Sequence, residues 1–230
     1  MCFSAGASFG AGVILTTIGV ASIKKSESNS QIFFASIPLI FAVQQISEGF
    51  LWLALTNSNF AFLKWPATYL FLLIAQVIWP FWVPFSLLKL IKNKKRRKVE
   101  KILLLIGILV SLFLAFCLIN YRVEAKIMGM HIFYDQDYPK FLSNYGGIFY
   151  VIATIIPPFL SKYKRMWAFG TAILISYIIT HIYYPENTVS VWCFFASVIS
   201  ISVYSVLFEM KKSKENIMYM GFKKRNYLNK

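Results

Sequence analysis

Acidic charge and histidine are what this sequence has least of. Its 230 residues carry nine acids and two histidines against 24 lysines and arginines, and only 14% are charged. His131 and His181 alone cannot build the three-histidine zinc set of ceramidase-like membrane hydrolases. Three cysteines (Cys2, Cys117 and Cys193) show no CxxC spacing, which excludes a zinc ribbon or a dithiol redox motif. The first apolar run has neither a basic stretch before it nor a small-residue cleavage site after it, so it reads as a retained span, not a removable signal. The last apolar run offers no lysine before Lys211, which argues against a retinal Schiff base. Internal repeats are not evident.

What is abundant is apolar residue: 58% of the chain, gathered in long runs. That pattern predicts a polytopic membrane protein with one membrane domain and a lipid bilayer as its first partner. The net charge of +15 does not imply nucleic acid, because the basic residues cluster between the apolar runs. The runs predict spans at about 5–22, 32–55, 66–88, 102–119, 145–160, 167–184 and 189–208, followed by a basic tail over 211–230. The expected fold is therefore an all-α transmembrane seven-helix bundle. With seven spans, 20 of the 24 basic residues fall on one side. By the positive-inside rule the N-terminus lies outside and the C-terminus is cytoplasmic, as in a multi-pass protein of the inner (cytoplasmic) membrane.

Local signals fill in the frame. In the first run Ser4, Ser8 and Gly12 form one row of small residues, and Gly6 and Gly10 make a GxxxG; both rows permit close helix approach. The third run holds Pro80 and Pro84, which predict a kink that leaves carbonyls in need of other donors. Between the fourth and fifth runs, residues 123–134 predict a β-hairpin with Met128-Gly129 at its turn and 130–134 as the return strand.

The strongest chemical signal is residues 44–52, where Gln44, Gln45, Glu48 and Trp52 recur at helical spacing inside an apolar span. A carboxyl group near the bilayer interior costs about 2.5–3.5 kcal/mol, so it needs a reason to be there. Gln44 and Gln76 lie at matching depths, roughly 15–18 Å below the outer boundary, which suits a hydrogen bond between them. Glu48 is shallower, at roughly 10 Å. Outward orientation places Cys2, Glu48, His131, Asp135, Asp137, His181 and Cys193 in or near the outer half. The expected site there opens to the outer face, with Glu48 as acid/base and His131, Cys2 or Cys193 as ligand or nucleophile. Gln44, Gln45, Trp52, Gln76, Trp79, Ser190 and His181 are the candidate ligand-binding residues. His131, Asp135, Asp137 and Cys2 are the candidate ligands for a divalent metal. Ser190, Cys193, Ser197, Ser200 and Tyr204 form a polar stripe on the last span, which equally suits small-residue packing. Cys2 and Cys193 are also candidates for a disulfide at the outer face.

Several blocks resemble a family of uncharacterised bacterial multipass membrane proteins, a domain of unknown function. They are the opening residues 1–9, Gln44-Gln45 with Glu48-Gly49 and Trp52-Leu53, Trp79-Pro80, His131-Ile132 with Tyr134, and residues 190–195. The resemblance covers nearly all the membrane core. It departs where Leu207 precedes Phe208-Glu209, a position at which the family often has histidine. It implies no established activity. Three readings stay open: an enzyme acting on a lipid or amphiphile, a transporter, channel or small-molecule sensor using Glu48, and a structural scaffold.

Overall fold

A computed structural model describes residues 4–214, with side chains for all of these except 140–146. Among the described residues six helices are long and apolar enough to cross a membrane: α1 (Ala5–Lys25), α2 (Asn29–Thr56), α3 (Ser58–Leu90), α4 (Lys94–Asn120), α6 (Lys164–Tyr183) and α7 (Thr188–Lys214). Between them lies α5 (Lys140–Ile155), the seventh, continued by a 3-10 turn over Pro157–Leu160. The protein is a seven-helix bundle of the multipass membrane type. The basic connections gather at one end of the bundle, where residues from 27–31, 89–96, 157–163 and 210–214 border one cavity.

Helix α1 lies along α2, and the face it presents is not the GxxxG face. Ser8, Gly12, Leu15, Gly19 and Ser22 are buried. A Cβ on Gly12 would press on Ile46, and one on Gly19 would press on Leu39. Gly10 has open space where a Cβ would stand. Both rows satisfy the small-residue pattern, and burial selects the one that ends in Gly12.

Helix α3 loses backbone donors where its prolines fall. Residues Leu73–Ile78 widen into a π-helical turn, in which Pro80 has no hydrogen to give the Ala75 carbonyl. The Tyr150 hydroxyl of α5 donates to that carbonyl, and Ser111 of α4 donates to the Val77 carbonyl at 2.7 Å. Pro84 likewise leaves the Pro80 carbonyl without its helical donor. Gly107 of α4 packs directly on that oxygen, so closely that a Cβ there would overlap it. The Ala75 carbonyl, left without a proline N–H, takes a donor from another helix, as the sequence leads one to expect.

The hairpin also forms, as β1 (Val123–Met128) and β2 (His131–Gln136), antiparallel with Met128 opposite His131 and Val123 opposite Gln136. The turn residues are Gly129 and Met130, one position later than the spacing predicts. Gly129 has φ of 60°, and no other described residue has positive φ. Glycine at the first central position with an ordinary second residue is the II′ arrangement. Alternation sends Ile132, Tyr134 and Gln136 toward the bundle, where Ile132 is fully buried and Tyr134 stacks on Phe71 at 4.9 Å.

Candidate functional site

Glu48, Gln44, Trp79, Ser190 and Cys193 come together where α2, α3 and α7 meet. The Glu48 carboxyl is fully buried, and the Ser190 hydroxyl donates to its Oε1 at 2.7 Å. One turn along α2, Gln44 is equally buried and its Oε1 accepts from Trp79 Nε1 at 2.9 Å. Phe41 stacks on the Trp79 ring at 4.0 Å and fixes its plane. The Cys193 thiol adjoins the Gln44 side chain and is close enough to Glu48 to feel its charge. Ser190 and Cys193 are three residues apart on α7, which puts both on the same face toward α2. These are five of the residues expected to share a site.

The remaining candidates are placed differently. Gln44 and Gln76 do not bond to each other. Gln76 instead donates through Nε2 to Gln136 Oε1 at 2.9 Å and accepts from the Tyr138 hydroxyl at 3.0 Å. Matching depth leaves azimuth undetermined, and the π turn rotates Gln76 toward the hairpin. Gln45 and Trp52 are buried, but the Gln45 amide and Trp52 Nε1 have no hydrogen-bond partner among the described residues. His131 sits at the turn end of the hairpin with its ring edge-on to Tyr184, 5.2 Å between centroids. Burial holds its imidazole below the ordinary histidine range. Asp135 is four residues further along the strand, roughly 13 Å away at 3.3 Å per residue. It is exposed and ion-paired with Lys126 at 2.8 Å. Asp137 is exposed. Among the described residues no group of three His, Cys, Asp or Glu side chains gathers to hold a metal ion. Cys2, and with it the disulfide and shared-ligand expectations, lies outside the described residues. The α7 stripe is buried at Ser190, Cys193, Ser197 and Ser200, whereas Tyr204 is 41% exposed. Ser197 and Ser200 spend their hydroxyls on carbonyls of their own helix, which suits packing.

Beside the cluster is a lateral cavity of about 760 Å³ among α3–α7. Leu109, Val110 and Phe113 make an apolar wall along α4, while Gln76, Gln136, Tyr138, His181 and Cys193 supply polar groups. His181 stacks on Tyr177, and Tyr177 meets Trp192 edge-on at 4.9 Å. Cys193 belongs to both the cavity wall and the buried cluster. Gln136 and Tyr138 were not evident as site residues from sequence. Gln136 was detectable in principle, because it shares the inward strand parity of Ile132 and Tyr134.

Fold and site together define a multipass membrane protein with a carboxyl group sealed among its helices. The chain belongs to the family of unknown function DUF6629, whose model matches residues 1–217. No curated protein and no solved structure matches it.

Proposed function

We propose that the protein binds a lipid or other amphiphile in the lateral cavity, with its N-terminus outside and its basic end in the cytoplasm. The observation that carries this reading is the composition of that cavity: a long apolar wall on α4 together with a hydrogen-bonded polar cluster of Gln76, Gln136 and Tyr138. An acyl chain along α4 with its polar group toward the hairpin satisfies both at once. Catalysis on that amphiphile is the activity this arrangement favours. Cys193 borders the cavity and Glu48 stands behind it as the proton-holding group. A second reading, proton-coupled transport or sensing, rests on the complete burial of Glu48 and the absence of that residue from the cavity wall.

Leu109 is 60% exposed and lines the cavity, so Leu109→Trp fills space without disturbing the core. Native mass spectrometry of the purified protein should find a bound lipid or amphiphile that Leu109→Trp removes. Equal occupancy in the two proteins refutes binding in this cavity. Orientation is tested separately with reporters fused at Lys95 and Lys230, both of which should report a cytoplasmic location.

A further inference from the structure

At the basic end, three connections and the end of α7, distant in sequence, close around a second cavity of about 630 Å³. Five cations border it: Lys89, Lys92, Arg96, Lys162 and Lys214, against the single carboxylate of Glu27. That carboxylate is already taken. Lys214 reaches it at 3.1 Å and Lys211 at 4.0 Å. None of Lys89, Lys92, Arg96 or Lys162 makes an ion pair among the described residues. Arg96 is held in place by one bond, from Nη1 to the Leu160 carbonyl at 3.2 Å, which leaves most of its N–H groups for another partner. Lys89 is steered by the rings of Phe33 and Phe85, 5.8 and 5.0 Å from their centroids. Buried Leu87, Pro157 and Met210 form apolar parts of the wall, so the field of these cations is less screened than on an open surface.

The positive-inside rule explains why these residues are on this side of the membrane. It does not require cations from α3, α4 and the α5–α6 connection to converge on one cavity whose single carboxylate among the described residues, Glu27, is paired with Lys214 and Lys211. We propose that this cavity is an anion site for a phosphate-bearing group, with Lys92, Arg96 and Lys162 as its principal contacts. The chemistry is common to an anionic lipid headgroup and to a soluble phosphorylated molecule. The site is separate from the lateral cavity and does not depend on the reading given to it.

The test uses the full chain in nanodiscs. One arm compares phosphatidylcholine discs with discs containing phosphatidylglycerol and reads retained anionic lipid by native mass spectrometry. The other adds inorganic pyrophosphate to phosphatidylcholine discs and reads thermal stabilisation. Lys92→Gln with Lys162→Gln removes two cations from the cavity. Arg97→Gln with Lys101→Gln removes two exposed cations from α4 outside it. The cavity pair should weaken binding by about fivefold per cation, and the outside pair should leave it nearly unchanged. Retention of phosphatidylglycerol alone assigns a lipid headgroup; stabilisation by pyrophosphate assigns a soluble ligand. Equal losses in the two variants, or no binding in either arm, overturns the proposal.

Discussion

Gly107→Ala and Gly10→Ala are the same chemical change on two apolar helices, and the structure assigns them opposite signs. At Gly107 the added methyl overlaps the Pro80 carbonyl oxygen and comes within 3.3 Å of Pro84 Cγ. Neither obstacle can swing away: one is backbone and the other is a ring fused to it. The helices must therefore separate, which also stretches the adjoining 2.7 Å bond from Ser111 to the Val77 carbonyl. Overpacking costs about 1–3 kcal/mol, and a backbone obstacle puts this site at the upper end. Exchanging glycine for alanine returns at most about 1 kcal/mol of helix propensity. The expected net loss for Gly107→Ala is thus about 2 kcal/mol. At Gly10 no atom lies within 4 Å of the new Cβ, so only the propensity gain remains. Reversible unfolding in mixed micelles of increasing SDS fraction, followed by tryptophan fluorescence, measures both changes on one scale. Equal stabilities for the two variants would falsify the close α3–α4 approach. A loss at Gly10 would show that the GxxxG face is packed after all.

Three further outcomes follow from the site. Glu48→Gln still accepts the Ser190 hydroxyl and should change stability by no more than about 0.5 kcal/mol. Amphiphile binding should persist while proton-dependent turnover or transport disappears, and loss of binding itself refutes a Glu48 set behind the cavity wall. Trp79→Phe removes the donor to buried Gln44 and should cost about 0.6–1.7 kcal/mol, the range for membrane hydrogen bonds. Adding Gln44→Leu should recover part of that loss in a double-mutant cycle, and strict additivity excludes the bond. For His131, a folded pKa below the unfolded value of 6.5 means the unfolded chain binds more protons as pH falls. Its contribution is complete above about pH 6.5 and declines below it. Hairpin amides should exchange faster at pH 5.5 than at 7.5 after correction for intrinsic rates, and His131→Gln should flatten that difference.

What the sequence made legible was whatever depends on composition along the chain. The long apolar helices follow from apolar run length, the carbonyls of α3 that need other donors from two missing N–H groups, and the hairpin from alternation around Gly129. Choices among equivalent faces were not legible. Gly6/Gly10 and Ser8/Gly12 are equally small, and only the position of Ile46 and Leu39 on α2 decides between them. Gln76 illustrates the same limit. Its depth matched Gln44, but the π turn and the docked hairpin gave it Gln136 and Tyr138 instead. His131 and Asp135 are near in sequence, yet an extended strand carries them apart. The basic cavity is less visible still, since its cations come from connections that look like separate topological signals.

The separation of Glu48 from the lateral cavity constrains any mechanism that uses both. Glu48 has no exposed surface, whereas Cys193 lines the cavity and lies within electrostatic range of Glu48. Because Ser190 and Cys193 share one face of α7, a movement of that helix that exposes Glu48 also stretches the 2.7 Å bond from Ser190. A ligand that shifts the Cys193 side of the cavity therefore acts on the same helix face that seals the carboxyl. Ser190→Ala removes the bond that seals the carboxyl without touching the cavity lining. Such a variant should expose Glu48 to proton exchange more readily while leaving amphiphile affinity intact. If both change together, Ser190 is part of the ligand's own surroundings and not a latch behind them.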